Sequence, residues 1–451
     1  MSDILTDRTI DSRSATRREF LTTSSMLAAG GALAGTLGIA RSAHAAGDET
    51  IKIALVGCGG RGTGACQQAL STAGPIKLVA MADAFADRLA QSFRQLSKSH
   101  AERVDVPEER RFVGFDAYQK ALDAGIDVVL LATPPGFRPI HFEAAVRAGK
   151  HVFMEKPVAT DAVGVRRVLA TAADAKAKDL KVGVGLQRHH DAGYIETVKR
   201  LHDGAIGDIL SMRIYWNGGA VPLFRVMPRD SLRRQSPELT EMEYQMRNWY
   251  DFVWTCGDHI VEQHVHNIDV AHWVKRALPI RANGMGGHQG VRNKDHGEIY
   301  DHHAVEFEYA DGSRVYSQCR RINDCWTNVS EHAHGTNGTA IVSGTIDVKG
   351  KPTWKHGAKV KNAYQVEHDD LFAAIRRSEP YNEAEYGANS TMMGILGRMC
   401  TYSGQELTWD SAISSKISVM PKEYSFQATP PTLPDADGFY ALAIPGKTRV
   451  V

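Results

Sequence analysis

The chain lacks an excess of charge of either sign, a long apolar run and an ordered pattern of cysteines. Across 451 residues, 53 Lys and Arg nearly cancel 52 Asp and Glu. No broad basic field is available to attract nucleic acid or an anionic membrane, so no nucleic-acid partner is expected. The six cysteines, at 58, 66, 256, 319, 325 and 400, form no C-x-x-C pair and no zinc-like spacing. They read as small buried residues, and no metal centre is expected. No stretch reaches the roughly 18 apolar residues of a membrane span, which excludes stable membrane insertion from the expectations.

What is present begins with an address. Thr16-Arg17-Arg18-Glu19-Phe20-Leu21 precedes a mild Ala- and Gly-rich stretch at 27–40 and then Ala43-His44-Ala45. Paired arginines, a short weakly apolar segment and an A-x-A pattern together make a Tat-type signal. Residues 1–46 are therefore expected to be a leader, with Arg17 and Arg18 engaging the Tat translocase and the protein delivered to the periplasm or otherwise exported. Proteins on that route cross already folded, so a cofactor can be loaded beforehand.

From residue 51 the chain alternates short apolar runs with helical periodicity. Runs at 51–56, 76–82, 126–132, 151–154 and 182–186 read as strands, and 64–73, 86–96, 116–124, 139–148 and 161–175 as helices. That alternation predicts a doubly wound parallel sheet over 48–186. The charged stretch 97–111 reads as a loop or short surface helix. Beyond a boundary near Gln187, helices at 192–202, 368–378 and 388–403 and alternating strands at 209–216, 304–309, 314–319 and 339–343 predict an α+β domain. Its open, mainly antiparallel sheet is expected to be covered on one face, with the last helices packing back on the first domain. A Pro-rich tail is expected to run extended.

The first apolar run ends in Gly57-Cys58-Gly59-Gly60-Arg61-Gly62, a G-x-G-x-x-G turn between strand and helix. In that context Gly57 makes the tight turn, Gly59 lets backbone approach a pyrophosphate, and Gly62 lets the helix pack on the strand. Gly60 and Arg61 complete the loop. Asp83 closes the second strand about twenty residues on, where a carboxylate accepts the ribose hydroxyls; this favours NAD over NADP. Glu155-Lys156-Pro157 follows the 151–154 strand, at the carboxyl edge where open α/β folds bind ligands. A shielded Lys156 there could hydrogen-bond a substrate hydroxyl, against the alternative of an ordinary surface pair with Glu155.

Residues 257–269 hold Asp258, His259, Glu262, His264, His266 and Asp269. Read as one helix, steps of four and three place Glu262, His266 and Asp269 on one face, so a carboxylate can orient an imidazole that acts as a base. A metal site on His259, His264 and His266 competes, although His264 and His266 point to different faces. A purely structural helix is a further alternative. The pairs His189-His190, His302-His303 and His332-x-His334 read as solvated or capping. Arg188 could face a cleft, and Trp249 could stack on a sugar ring or pack in the core.

With the 57–62 loop, Asp83, Ala132-Thr133-Pro134, Glu155-Lys156-Pro157 and the 257–269 segment in hand, the chain resembles the Gfo/Idh/MocA oxidoreductases. The resemblance covers nearly all of it beyond the leader. It implies cofactor contacts at Thr133, Pro134, Glu155 and Lys156, catalytic roles for Lys156, Glu262 and His266 with Glu in place of the family's Asp, sugar or polyol substrates, and a homo-oligomer built on the open sheet. The expected activity is NAD(P)-dependent oxidation or reduction of a secondary hydroxyl with tightly bound cofactor. Two alternatives are a redox-neutral glycoside-cleaving enzyme on one bound NAD and a non-catalytic NAD-bound sugar sensor.

Overall fold

The computed structural model describes residues 50–219, 225–358 and 361–451; the expected leader with Arg17 and Arg18 lies outside them. Six strands, β1 (Ile51–Val56), β2 (Ile76–Asp83), β3 (Arg111–Val113), β4 (Val128–Leu131), β5 (His151–Met154) and β6 (Val182–Val184), form one parallel sheet in the order β3-β2-β1-β4-β5-β6. Helices cover both faces, which is why the strands read as continuous apolar runs and not as alternations. The doubly wound sheet agrees with the sequence pattern. β1 is flanked by β2 on one side and β4 on the other. Their following loops diverge there, and a crevice opens at the carboxyl ends.

The segment 97–111, expected to be a loop or a short surface helix, contains two short surface helical turns, Ala101–Arg103 and Glu108–Arg110, and leads into β3. That strand is three residues long and lies at the sheet edge, too short to show a period.

Nine strands form a second sheet: β7 (Ile209–Gly218), β8 (Arg281–Gly287), β9 (His302–Glu308), β10 (Arg314–Arg321), β11 (Asn328–Gly335), β12 (Gly338–Ile341), β13 (Thr345–Val348), β14 (Trp354–Lys355) and β15 (Leu407–Thr408). All neighbours are antiparallel except β7 and β10. Val315, Ser317 and Cys319 on β10 and Val305 and Phe307 on β9 face inward, while Tyr316 and Met285 stand exposed on the other side. The inner face meets the helices Val265–Lys275 and Ala384–Ser403, and the latter also packs on Ala162–Ala177 beside the first sheet. Ala384–Ser403 is buried nearly all round, as a helix lodged between two sheets must be. Gly397 makes the fit possible: an added Cβ would lie 2.8 Å from Ile260 Cδ1. The expected tail, 414–451, lacks regular structure and runs largely exposed, fastened at a few buried points such as Tyr440.

A buried ion pair fastens the second sheet to the turn after β6. Arg188 reaches Glu331 on β11, and the carboxylate also takes hydrogen bonds from the Tyr194 hydroxyl at 2.9 Å and from Asn267. Arg188, which could face a cleft, is committed to Glu331, which is fully buried and needs the positive partner. Arg188→Ala should cost about 3–5 kcal/mol by leaving that carboxylate unpaired, and Arg188→Ala with Glu331→Met should recover most of the loss. Urea titrations of the two variants check this.

Candidate active site

The carboxyl edge of the first sheet opens into a cavity of about 900 Å³. Gly57, Gly59, Gly60, Arg61, Gly62, Asp83, Thr133, Pro134, Glu155 and Lys156 all line it, as do Trp249, Glu262 and His266. Sequence positions 57 to 266 therefore converge on one space.

The glycine loop is built from what side chains would obstruct. Gly57 has φ +97°, and a Cβ there would sit 2.5 Å from Ala132 C and Thr133 N. At Gly62 a Cβ would lie 1.9 Å from the Gly57 carbonyl oxygen. Gly59 and Gly60, by contrast, face open space. The helix Gly60–Leu70 that follows has no capping side chain and no acid in its first turn. Its first amides are thus left to an anion, and the open cradle fits a dinucleotide's pyrophosphate.

Asp83 accepts hydrogen bonds from the Cys58 amide at 2.6 Å and the Phe85 amide at 2.8 Å. It couples the glycine loop to the loop after β2 while lining the cavity where a ribose hydroxyl would reach it. Burial raises its pKa, against the pull of those two amides. Arg61 points away from the phosphate position: it bonds Glu155 Oε1 at 2.5 Å and Gln68 Oε1 at 2.7 Å and lies over the Tyr364 ring. Its side chain organises Glu155, so any cofactor contact from Arg61 comes through its backbone.

Lys156 Nζ donates to two atoms of one residue, the Glu262 carbonyl oxygen at 2.6 Å and Glu262 Oε1 at 3.0 Å. In an unbroken helix that carbonyl would take the amide of His266. Instead the helix His259–Glu262 stops, Gln263 and His264 form a turn, and a second helix runs Val265–Lys275. The single helix expected over 257–269 is therefore broken, because Lys156 occupies its carbonyl and His264 is drawn to Ser317 Oγ at 2.8 Å.

The break changes the partnerships read from a shared face. Glu262 orients Lys156, not His266. His266 stacks on Trp216, with ring centroids 5.7 Å apart, and among the described residues neither its Nδ1 nor Glu262 Oε2 has a hydrogen-bond partner. Two unsatisfied buried polar atoms side by side with a cavity mark a functional site more often than a packing fault. Asp269 leaves the cavity altogether: it accepts from Ser390 Oγ at 2.8 Å and meets His189 Nε2 at 2.8 Å. His259 and His264 bond Tyr250 and Ser317 respectively, so these imidazoles diverge.

Several participants were invisible to local pattern. Arg138, fully buried, donates to the Leu131 and Thr133 carbonyl oxygens, each at 2.8 Å, and fixes the loop that carries Thr133 and Pro134. Burial lowers its pKa to about 10, with Glu155 and Glu262 opposing. Asp258 adopts φ +80°, a conformation that costs about 1–3 kcal/mol in a residue with a Cβ. Its carboxylate accepts from the His259 and Tyr300 amides and the Tyr402 hydroxyl and lies 3.3 Å from His303. Burial alone would raise its pKa; His303, Tyr402 and the Tyr300 amide outweigh this and lower it. The pairs read as solvated or capping histidines also find distant carboxylates: His189 meets Asp269, His190 meets Asp370, and His303 lies 3.3 Å from Asp258. The short spacing of the sequence could not show partners so remote.

Residues 51–184 match the GFO_IDH_MocA oxidoreductase family, described as having an NAD-binding Rossmann fold. An inositol 2-dehydrogenase of Rhizobium meliloti (strain 1021) is 30% identical over 193 residues, 43% of this chain and 52% of that one. The chain thus spans about half the length of that relative. Among solved structures, an aldose-aldose oxidoreductase from Caulobacter crescentus complexed with glycerol superposes with TM-score 0.62 at 17% identity, over 80% of this chain and 99% of that chain. A scyllo-inositol dehydrogenase from Lactobacillus casei with bound NAD(H) and scyllo-inositol gives TM-score 0.58 at 19% identity, over 80% and 100%. At these identities the structural likeness shows the fold.

Burial lowers the pKa of His141, His259 and His368 to about 3, and holds His264 and His266 well below the ordinary range. For His266 the charges of Lys156 and Arg188 add to the effect. Histidines in the unfolded chain take protons near pH 6.5, which these folded ones refuse. Their contribution to stability is therefore complete above about pH 6.5 and is lost as the pH falls toward about 3. Denaturant titrations should show stability declining between about pH 6.5 and 5, above the range of ordinary carboxylates, with buried Glu367, whose pKa is raised, offsetting part of the decline; a flat profile over that interval in a Glu367→Gln protein would contradict the assignment.

Proposed function

We propose, on the premise that residues 51–184 form the NAD-binding Rossmann fold of the Gfo/Idh/MocA oxidoreductases, that the protein oxidises or reduces a secondary hydroxyl of a sugar or polyol. The observation that carries this reading is the convergence of Lys156, Glu262 and His266 on the cavity that the glycine loop and Asp83 also line. A bound nicotinamide supplies the hydride acceptor or donor. The protein's own residues then have to bind the hydroxyl, hold its oxygen and move one proton.

His266 is suited to move that proton. Burial and the charges of Lys156 and Arg188 lower its pKa, so the imidazole stands neutral, with Nδ1 open and the ring stacked on Trp216. Lys156 steadies the oxygen from which the proton leaves, and Glu262 fixes Nζ through two contacts. Trp249 lines the same cavity and offers a flat apolar face to a sugar ring. Asp83 supports NAD over NADP, since a 2′-phosphate would meet its carboxylate. The inositol dehydrogenase relative and the NAD(H)- and scyllo-inositol-bound structure support the choice of a polyol.

Residues 1–46 support export of the folded, loaded protein by the Tat route, with Arg17 and Arg18 as the recognised pair. The outer face of the second sheet, with Met285 and Tyr316 exposed, supports self-association through that face. No described helix is long and apolar enough to cross a membrane.

Lys156→Ala and His266→Ala should each lower kcat on a responsive sugar or polyol by about 10²- to 10⁴-fold, while nucleotide content after purification is retained. Absorbance at 340 nm and mass spectrometry of released nucleotide measure the two quantities. Full turnover in either variant would remove that residue from the chemistry.

A further inference from the structure

The cavity does not end with the glycine loop and the catalytic groups. Its far end, past Asp83, is lined by Phe85 from the loop after β2, Phe115 from the loop after β3, Phe137 from the loop after β4, and Arg247 from the last turn of the helix Glu241–Arg247. A dinucleotide whose pyrophosphate lies on the glycine loop and whose ribose meets Asp83 has its adenine at this end. Three of these residues belong to the first sheet's loops. Arg247 comes from the opposite side of the cleft.

Each of the three rings is held from outside by the C-terminal tail or by Arg247. The Phe426 ring lies 5.3 Å from Phe85 and 5.0 Å, edge on, from Phe115. Tyr424 lies 5.8 Å from Phe137. The Arg247 guanidinium sits 4.1 Å over Phe85, with Asp87 at 3.4 Å and Glu243 at 3.0 Å fixing it. The tail is itself anchored to the first domain: Asp161 Oδ2 accepts from Ser418 Oγ and the Val419 amide, both at 2.9 Å. Gln245, two residues before Arg247, donates to the tail's Thr432 carbonyl oxygen at 2.8 Å. Neither the tail nor Arg247 belongs to the match over residues 51–184.

We propose that Arg247 is a cofactor-binding residue and that Phe426 is a positioning residue acting through Phe85 and Phe115, the two together closing the adenosine end of the cleft so that bound nicotinamide dinucleotide is released slowly. This rests on the dinucleotide reading above. Loops after parallel strands are ordinarily the mobile rim of such a cleft, free to part as the ligand leaves. Here two of them share one ring as a wedge, and the nearer is also clamped by a cation from across the cleft. Opening the adenosine end requires breaking the ring contacts and the cation–π contact together.

The test uses the full chain loaded with NAD, challenged with excess isotopically labelled NAD, and followed by mass spectrometry of the nucleotide that remains bound. Arg247→Ala and Phe426→Ala should each release the original nucleotide about tenfold faster than the parent, as expected for losing one aromatic or cation–π contact. Phe426→Tyr should keep the parent's rate, because the ring remains. Thermal unfolding of the nucleotide-free proteins separates release from misfolding; if Phe426→Ala fails to fold, Arg247→Ala, altered at the rim of the cleft, decides. Release unchanged in a folded Arg247→Ala protein overturns the proposal. A parent protein that binds NAD but exchanges it as fast as the variants overturns the retention while leaving the dinucleotide site intact. A parent that binds no nicotinamide dinucleotide overturns both.

Discussion

The contact between Lys156 Nζ and Glu262 governs the shape of the site more than any other. It joins the end of β5 to a segment 106 residues later in the chain, and it takes both the carboxylate and the backbone carbonyl of Glu262. Taking the carbonyl ends one helix, and the turn that follows restarts another whose first residues include His266. The same hydrogen bonds that fix Lys156 therefore set where the imidazole stands. A buried amine and carboxylate in this position are costly to desolvate, and Glu262 Oε2 remains without a partner. The surrounding structure offsets that cost with a helix buried on all sides, Ala384–Ser403, packed between the two sheets.

Binding and chemistry are assigned to different kinds of atoms. The glycine loop offers backbone amides and empty space, and its shape is enforced by the clashes that side chains at Gly57 and Gly62 would make. Such a cradle cannot be tuned by a rotamer, which suits a ligand that must be held in one register. The opposite wall is all side chain: Lys156, Glu262, His266, Trp216. Arg138 braces the loop wall, because it grips the Leu131 and Thr133 carbonyls, and its charge is felt by both Glu155 and Glu262.

The parallel sheet was legible because its signal is local: apolar runs of four to eight residues separated by helical periods, with a glycine turn at the first crossover. The cofactor end of the site was legible for the same reason, since Gly57 through Gly62 and Asp83 belong to one βαβ unit. Partnerships were not. Glu262 and His266 share a helix face only if the helix is continuous, and what breaks it is a lysine far upstream. Asp269 and Arg188 looked available because their partners, His189 and Glu331, lie 80 and 143 residues away. The strands β8 and β11 escaped notice because their glycines, polar residues and histidines blur a period of two. Electrostatic pairing and burial are decided in three dimensions, and a spacing rule sees neither.

The segment that crosses the cleft also links its two ends. The helix Glu241–Arg247 carries Arg247 onto Phe85, and the turn Trp249–Asp251 begins two residues later with a ring that lines the same cavity. Asp251 pins that turn to Arg321 on the second sheet at 2.9 Å, and Asn248 holds Met227 through its amide and carbonyl. A short rigid stretch fastened at both ends transmits displacement instead of absorbing it. Under the proposed function, a ligand seated against Trp249 would load the same element that carries Arg247. On that reading, retention of the cofactor and binding of the substrate would be coupled through a segment outside residues 51–184.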